Sequence, residues 1–271
     1  MLRVFEGRFG RLAVVDLAPD DPVEAHPDPA VVLRREAGQL RFLNPGELYV
    51  ALDYERALVF SPSTEWLRAS FPAVFEAAEG KPFPLATEAM TPRIRQLAST
   101  LAIEARNDQF LSPERLEFML QELLLSILDA YLARRSPISL WKGSRFEDSR
   151  IRRAIELLRA RPNKDMNIDR LANQVGLSRS RFYDLFELCT GFSPRTYLDL
   201  LCVEAAIARL AGGQGKIAEV SAELGFSAQS NFTRFFLLQV GVPPSHYRRS
   251  VNAQAAAEPQ PPHASGGARP A

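Results

Sequence analysis

The sequence predicts an α+β protein of two domains, in which a β-rich half with two trailing helices precedes an all-α half. Short apolar runs fill the first ninety residues and end at Pro, Gly, Asp or Asn, which is typical of an antiparallel sheet. After residue 91 the apolar residues recur at intervals of three and four, which indicates helices. From residues 1–140 to residues 141–250 the net charge changes from −5 to +6. The second half is therefore the candidate for binding a polyanion.

The composition is that of an ordinary globular protein with a buried core, because 46% of the 271 residues are hydrophobic and 24% are charged. The chain contains no apolar run of about 18 residues, and Arg3, Glu6 and Arg8 interrupt its start. We therefore expect a cytoplasmic protein without membrane contact. Cys189 and Cys202 lie in apolar helical patterns and are expected to be free, buried thiols. Three histidines without metal-ligand spacing predict neither a metal nor a cofactor.

The β-rich half contains five expected strands, each bounded by turn residues. Their sequences are RLAVVDLA, AVVLRREA, QLRFL, LYVALDY and ALVFSP, which begin at residues 11, 30, 39, 48 and 57. Four aromatic residues of this half have two possible roles, as the lining of an apolar effector pocket or as ordinary core. They are Phe42, Tyr49, Phe60 and Trp66.

Residues 91–135 are expected to form the two trailing helices. The first begins at TPRIRQ, with Pro at the first helical position, and the second spans residues 112–135 and begins with Ser and Pro. The second helix carries an apolar stripe that either packs as core against the sheet or forms a dimer seam, which makes this helix the favoured dimer element. The stripe consists of Leu116, Leu120, Leu123, Leu124, Ile127 and Leu128.

The segment 136–149 interrupts the helical periodicity and coincides with the charge reversal, so we place the domain boundary there. The N-terminal domain then covers residues 1–140, and the C-terminal domain covers residues 141–250. Residues 251–271 are rich in Ala, Pro and Gly and lack apolar periodicity. They are predicted to be a disordered tail.

The C-terminal domain contains two copies of one unit. IDRLANQVGLSRSRFYDLFELCTGFSPRTY starts at residue 168, and IAEVSAELGFSAQSNFTRFFLLQVGVPPSHY starts at residue 217. Equivalent positions are 49 residues apart up to the shared Gly and 50 apart after it, so the second copy has one extra residue after its Gly. Each copy combines a short helix, a Gly that permits positive φ, and a Ser-rich start to a second helix. This pattern predicts helix-turn-helix units at residues 168–190 and 217–240.

In each unit, polar residues begin the second helix and apolar residues hold it against the first. Ser178 and Ser227 are expected to cap the second helices. The apolar anchors are Phe182, Leu185 and Phe186 in the first unit and Phe232, Phe235 and Phe236 in the second. A DNA major groove accepts such a polar helix end. Between the units we expect one helix of about 18 residues, roughly 27 Å long, which can set two recognition helices about one DNA turn, roughly 34 Å, apart.

These units resemble the AraC/XylS family of bacterial transcription regulators. The resemblance is carried by SRIRRAIELLRARPNKD, IDRLANQVGLSRSRFYDLF, TGFSPRTYL, KIAEVSAELGFSAQSNFTRFF and GVPPSHYR, and it covers residues 147–249. It implies double-stranded promoter DNA as a partner, a homodimer and a contact with RNA polymerase. The stretch GQLRFLNPGELYVALD resembles part of the cupin-like domain that family members often carry. That domain implies a small-molecule effector.

The resemblance assigns DNA contacts to the starts of both recognition helices and to the flanking loops. Base contacts are expected from Ser180, Arg181, Tyr183, Asp184, Gln229, Ser230, Asn231 and Arg234. Gln and Asn pair bidentately with adenine and Arg with guanine, so Gln229, Asn231 and Arg234 are favoured. Phosphate contacts are expected from Ser178, Thr196, Lys216, His246 and Arg248. Ordinary solvated surface is the alternative for each cation taken singly.

The chain departs from the family pattern at three positions. Family members usually carry basic residues where this chain has Glu187, Cys202 and Leu237. Fewer cations release fewer counterions, so we expect weaker DNA binding or dependence on a second protomer. We also hypothesise that several apolar residues pack on the N-terminal domain. They are Leu200, Leu201, Val203, Leu237 and Leu238.

The sequence as a whole predicts a sequence-specific transcription regulator that responds to an effector through its N-terminal domain. An alternative is a regulator without a small-molecule effector, controlled by a protein partner or by its own abundance. The sequence shows no nucleophile and base pair and no metal cluster, so we do not expect an enzyme.

Overall fold

The N-terminal half contains an antiparallel sheet. The computed structural model describes residues 3–19, 22–23, 28–51, 54–72, 83, 86–105, 112–133, 141–213 and 215–257. Strands β1 to β8 span Arg3–Gly7, Gly10–Leu17, Pro22–Val23, Ala30–Arg34, Gln39–Leu43, Tyr49–Val50, Glu55–Pro62 and Thr87–Ala89. Six of them form one sheet in the order β1-β2-β7-β4-β5-β8, while β3 and β6 pair as a separate ribbon. The five expected strands are present, and β1, β3 and β8 are additional.

Both faces of this sheet are buried, as the alternation of side chains along β4 shows. Val31 belongs to the large core that also contains Phe42 and Phe60, whereas the next residue, Val32, belongs to a second cluster with Tyr49. Successive residues of a strand point to opposite faces. One face of the sheet therefore packs against the helices, and the other packs beneath the β3–β6 ribbon.

A helix that the sequence pattern did not predict follows β7. This helix, α1, spans Thr64–Ser70, and Ser63 caps it by accepting a hydrogen bond from the backbone N–H of Trp66 (3.2 Å). The Trp66 ring packs edge-on against Phe9, with 4.9 Å between ring centroids, and against Phe71, with 5.7 Å. The helix thereby closes one end of the core beneath the sheet.

The two trailing helices are present. Helix α2 spans Pro92–Glu104, helix α3 spans Pro113–Ile127, and a π-helical segment, Leu128–Ala133, continues α3. Thr91 and Ser112 cap α2 and α3, each directly before a proline at the first helical position. Helix α3 is buried on almost every side. It is therefore a central helix of the molecule.

The apolar stripe of α3 is core and not a dimer seam. Leu116 is 7% exposed, and the other five residues of the stripe are 0–1% exposed within the single chain. The prediction of a dimer element from these side chains is wrong, because the chain's own sheet and helices already cover them.

The C-terminal half is helical. Helices α4 to α10 span Ser149–Ala160, Ile168–Gln174, Arg179–Thr190, Pro194–Ala211, Ile217–Glu223, Gln229–Val240 and Pro244–Ala257. Helix α10 continues seven residues into the predicted tail, so the expectation of disorder from residue 251 is wrong up to Ala257, and residues 258–271 lie outside the described residues. Among the helices that the structure describes, none has the length and apolarity needed to cross a membrane.

The side of α3 that faces away from the sheet joins it to the C-terminal half. The Phe118 ring lies edge-on to Phe192 and Tyr197, at centroid distances of 5.9 and 5.1 Å. One turn along the same face, Gln121 Nε2 donates to the carbonyl oxygen of Thr190 (2.9 Å). One continuous apolar core therefore runs from the sheet through α3 to the first helix-turn-helix unit.

Candidate nucleic-acid interface

The first unit consists of α5 and α6 with a glycine turn between them. Gly176 has a φ of 74°, which favours glycine. Ser178 caps α6 by accepting a hydrogen bond from the backbone N–H of Arg181 (3.4 Å), as predicted. The rings of Phe182 and Phe186 are fully buried beneath α6. The first turn of α6 is therefore held up by an apolar base and remains in solvent.

The second unit, α8 and α9, repeats this design with a different helix start. Gly225 turns with a φ of 76°, and Phe232 is fully buried. The N-cap position of α9 is Ala228, which has no side-chain hydrogen bond to offer. Ser227 Oγ instead accepts from Asn231 Nδ2 (3.0 Å). The predicted cap by Ser227 is wrong, because the extra residue after the glycine moves Ser227 one position before the cap.

The residues predicted to contact bases lie on the first two turns of α6 and α9. Seven are exposed: Ser180, Arg181, Asp184, Gln229, Ser230, Asn231 and Arg234. Tyr183 is half-buried, with its ring centroid 6.3 Å from that of Phe182 and 5.7 Å from the guanidinium of Arg179. The base contacts themselves stay a prediction.

Arg179 is a candidate contact that the sequence interpretation missed. Its side chain is 71% exposed at the first position of α6, where it lies 3.1 Å from Asp169. By the offset of 50 residues, Arg179 is the counterpart of Gln229, the first residue of α9. Placing the two units side by side would have identified it, because Gln229 was already a favoured base contact.

The predicted phosphate contacts divide into two groups. Ser178, Lys216 and His246 are exposed near helix starts, and Thr196 is half-buried at the start of α7. Arg248 behaves differently. Its NH1 group donates to the carbonyl oxygen of Gly215 (2.9 Å), and its other two nitrogens are buried. This burial argues against a phosphate contact for Arg248, because the turn before α8 covers its guanidinium.

The departures from the family pattern have different structural outcomes. Cys202 is fully buried, and burial raises the pKa of its thiol to about 12. A cation at this position would point into the core, so the argument that its absence weakens DNA binding is wrong. Leu237 and Leu238 are 42% and 74% exposed, which contradicts their predicted packing on the N-terminal domain. The other three residues of that hypothesis, on α7, are buried in the core clusters: Leu200, Leu201 and Val203.

A buried ionic cluster fixes the C-terminal half to the central helix. The Glu122 carboxylate of α3 accepts from Arg159 of α4 through two nitrogens (2.7 and 2.8 Å) and from Arg93 of α2 (2.9 Å). The Tyr197 hydroxyl of α7 also donates to it. Burial alone would raise the pKa of Glu122, but the two arginines and Tyr197 outweigh burial and lower that pKa to about 2. Glu122 is therefore a carboxylate under all physiological conditions.

The same cluster reaches a residue two turns further along α7. Arg93 NH1 donates to Glu204 (2.7 Å), and Gln96 Nε2 donates to the same oxygen (3.0 Å). Burial is the main cause that raises the pKa of Glu204, and the nearby Glu122 charge adds to it, whereas Arg93 acts in the opposite direction. Helix α7, which links the two units, thus receives two separate polar contacts from the N-terminal half, at Tyr197 and at Glu204.

A second buried cluster holds α10. Glu104 at the end of α2 accepts from Arg115 of α3 and from the hydroxyl of Tyr247 (2.8 Å). Burial raises the pKa of Glu104. Because Tyr247 also packs against Phe236 of α9, with 5.6 Å between ring centroids, this cluster ties the second recognition helix to α2.

The aromatic residues proposed for an effector pocket do not converge. Phe42, Phe60 and Trp66 are 0–8% exposed in the helix-side core, where the Phe42 ring lies 5.1 Å from that of Phe83. Tyr49 belongs to the cluster on the opposite face, and its hydroxyl donates to Glu55. The prediction of one pocket lined by all four residues is wrong, because the sheet separates Tyr49 from the others.

Comparison with known proteins agrees with this geometry. Residues 171–250 match the family model described as a helix-turn-helix domain. The chain is 24% identical over 161 residues to the HTH-type transcriptional regulator MtrA of Neisseria gonorrhoeae, covering 58% of this chain and 53% of that protein. It is 26% identical over 128 residues to a putative AraC-like transcription regulator of Streptomyces lividans, covering 47% and 42%.

The DNA-binding domain of AdpA, solved in complex with a target DNA, has a TM-score of 0.37 and 23% identity to this chain, covering 40% of this chain and 97% of that one. The chain spans about half or less of the length of the curated relatives it matches.

Proposed function

Because its C-terminal half carries an AraC-type helix-turn-helix domain, we propose that this chain is a sequence-specific, DNA-binding transcription regulator and not an enzyme. The observation that supports this most strongly is that α6 and α9 begin in the same way, each shortly after a glycine turn. Each rests on buried phenylalanines, and each leaves its polar side chains in solvent. Helix α7 connects them with 18 residues, about 27 Å of helix.

Two recognition helices on one chain enter successive major-groove segments of one DNA duplex in this proposal. Arg179 and Arg181 of α6 and Arg234 of α9 supply the cations, and Arg is suited to guanine because it donates two parallel hydrogen bonds. Among the described residues, no ion pair engages Arg181 or Arg234. Gln229 and Asn231 supply amides suited to adenine. Contacts to the DNA phosphates, which position the protein on the duplex, come from Ser178, Thr196, Lys216 and His246.

Selection of binding sites from random duplexes by the full chain tests this proposal, followed by footprinting of the selected site. The expected result is one selected sequence with two protected segments about one helical turn apart. Protection of a single segment, the width of one helix, would contradict the use of both units. Binding of all duplexes with equal affinity would contradict sequence specificity.

We propose further that the N-terminal domain, for which a cupin-like fold is inferred, makes DNA binding responsive to a small effector. The support is the polar and apolar junction through which α2 and α3 hold α7. The alternative, control by a protein partner or by abundance, is favoured if no small molecule changes the stability of the full chain in a broad thermal-shift panel. A homodimer and a contact with RNA polymerase stay predictions, and a dimer would need a surface other than the buried stripe of α3.

A further inference from the structure

A groove between α2 and α7, here called the junction groove, lies where the N-terminal half meets the linker between the two DNA-binding units. Its volume is about 570 Å³, within the range of small-molecule sites. Residues of α2, Met90 two positions before it, and the end of α7 line it. Those that matter below are Met90, Arg95, Ser99, Thr100, Ile103 and Ala208.

Two polar groups of the junction groove have no partner among the residues that the structure describes. Thr100 is 1% exposed, and its hydroxyl makes no hydrogen bond. Leaving a buried hydroxyl unsatisfied is unfavourable, so this group is suited to a ligand atom or water. Arg95 is exposed on the next turn of α2, and its guanidinium pairs with no residue that the structure describes.

The Arg95 side chain lines the groove, and its guanidinium lies beside the β4–β5 turn. Its NH2 nitrogen lies 2.7 Å from where a Cβ would stand on Gly38, the glycine of the β4–β5 turn. Gly38 has a φ of +65° and no side chain, so the turn leaves room for the guanidinium. The rest of the lining is mainly apolar, with Met90, Ile103 and Ala208 on three sides.

We propose that the junction groove binds a small molecule with an apolar body and one carboxylate. Arg95 pairs with the carboxylate, Ser99 or Thr100 donates a hydroxyl hydrogen bond, and the apolar body packs on Met90, Ile103 and Ala208. The inference rests on the proposed effector response and gives it a location outside the β-sheet core.

The location connects the ligand to DNA binding. Gln96 also lines the groove and donates to Glu204 of α7 (3.0 Å), and the groove wall includes the last turn of α7. A ligand that touches both helices stabilises the arrangement in which they are packed together. It therefore changes the position of the second unit relative to the first only if the free chain also populates another arrangement.

The methionine methyl groups give a direct test on the full chain. The chain has 4 methionines, and Met90 lines the groove whereas Met119 and Met166 belong to the core around α3 and the first unit. Titration with 4-phenylbutanoate, followed by methyl NMR, is expected to shift the Met90 signal saturably with a Kd in the low millimolar range for a probe of this size. The neutral 4-phenylbutanamide is expected to bind at least fivefold more weakly.

Variants separate the carboxylate contact from the apolar one. Arg95→Gln is expected to weaken the binding of 4-phenylbutanoate at least fivefold and to leave the binding of 4-phenylbutanamide unchanged. The matched control is Arg153→Gln, because Arg153 is an arginine of α4 that is 63% exposed. This substitution should change the affinity for neither probe. Ala208→Phe, which fills the groove, should abolish the Met90 shift for both probes while circular dichroism shows that the chain stays folded.

Three outcomes would overturn the proposal: no saturable Met90 shift with either probe up to 10 mM (about five times the expected Kd), equal affinity for carboxylate and amide, or unchanged affinity in Arg95→Gln. The titration contains no DNA, so such a failure leaves the proposed DNA binding untouched. Conversely, a chain that shows the Met90 shift but selects no DNA site would contradict the proposed function and not the groove.

Discussion

Replacing Glu122 by Gln is expected to loosen the junction between the central helix and the DNA-binding half. The substitution keeps the shape of the side chain and removes its charge. It leaves Arg159 without its counter-ion and leaves Arg93 with Glu204 as its remaining one, next to a Glu122 side chain that is fully buried. Tyr197 keeps an acceptor, so the loss is mainly electrostatic.

Two independent arguments give the magnitude. Removing one partner of a buried ion pair typically costs about 3–5 kcal/mol. The pKa of Glu122 is lowered from an ordinary 4.5 to about 2, which at 1.36 kcal/mol per pH unit corresponds to about 3 kcal/mol of stability near neutral pH. Both arguments indicate a loss of about 3 kcal/mol in the free energy of unfolding.

Urea unfolding of the full chain, monitored by circular dichroism at pH 7, measures this loss. Glu156→Gln is the matched control, because Glu156 is a carboxylate of α4 that is 55% exposed and pairs with Arg153 on the surface. The control is expected to change stability by less than about 0.5 kcal/mol. A loss below about 1 kcal/mol in Glu122→Gln, or equal losses in the two variants, would refute the assignment of Glu122 as the anchor of the junction.

The difference in the free energy of unfolding between the native chain and Glu122→Gln should depend on pH, and the direction of this dependence gives a second check. Because the pKa of Glu122 is lowered in the folded state, its contribution is present above about pH 4.5 and is lost as the pH falls towards 2. At pH 3 the difference between native chain and variant should therefore be less than half of its value at pH 6. A difference that grows on acidification would mean that other groups, such as Glu204 with its raised pKa, control the junction.

Three further results are expected. Arg234→Ala should relax base preference at one position of the selected site by about 1–3 kcal/mol, whereas Lys216→Ala should weaken all duplexes alike and reduce the salt slope by about 1; identical effects in binding assays would contradict the two roles. Ser178→Ala should cost about 1 kcal/mol in urea unfolding and Ser227→Ala less than about 0.5 kcal/mol, because only Ser178 caps its helix. Cys202, whose pKa burial raises to about 12, should resist thiol reagents at pH 8 until the chain unfolds, and rapid labelling of the folded chain would argue against its burial.

Local periodicity made much of the fold predictable. Strand β2 and helix α3 follow apolar patterns that lie within about a dozen neighbouring residues. The two helix-turn-helix units are recognisable because their sequences repeat. The same repetition identifies Arg179, because it occupies the position equivalent to Gln229. The repeat does not reveal how the two units differ. One inserted residue places an alanine at the N-cap of α9, where α6 has a serine.

The junction was not predictable from local pattern. Gln121 and Glu122 lie between leucines in the helix that carries the predicted apolar stripe. Their partners are 29 to 75 residues away in sequence, and no spacing rule connects such distant positions. Two adjacent polar residues within the leucine-rich part of the helix are a signal that α3 has buried polar partners.

The central position of α3 has a consequence for the order in which the molecule can be completed. Glu122 leaves the ribosome 75 residues before Tyr197, which at about 5–20 residues per second is a delay of roughly 4–15 seconds. During that interval the chain lacks the residues of α7 that cover this face of α3 in the complete molecule. The buried contacts of the N-terminal half are therefore complete only after α7 has been synthesised.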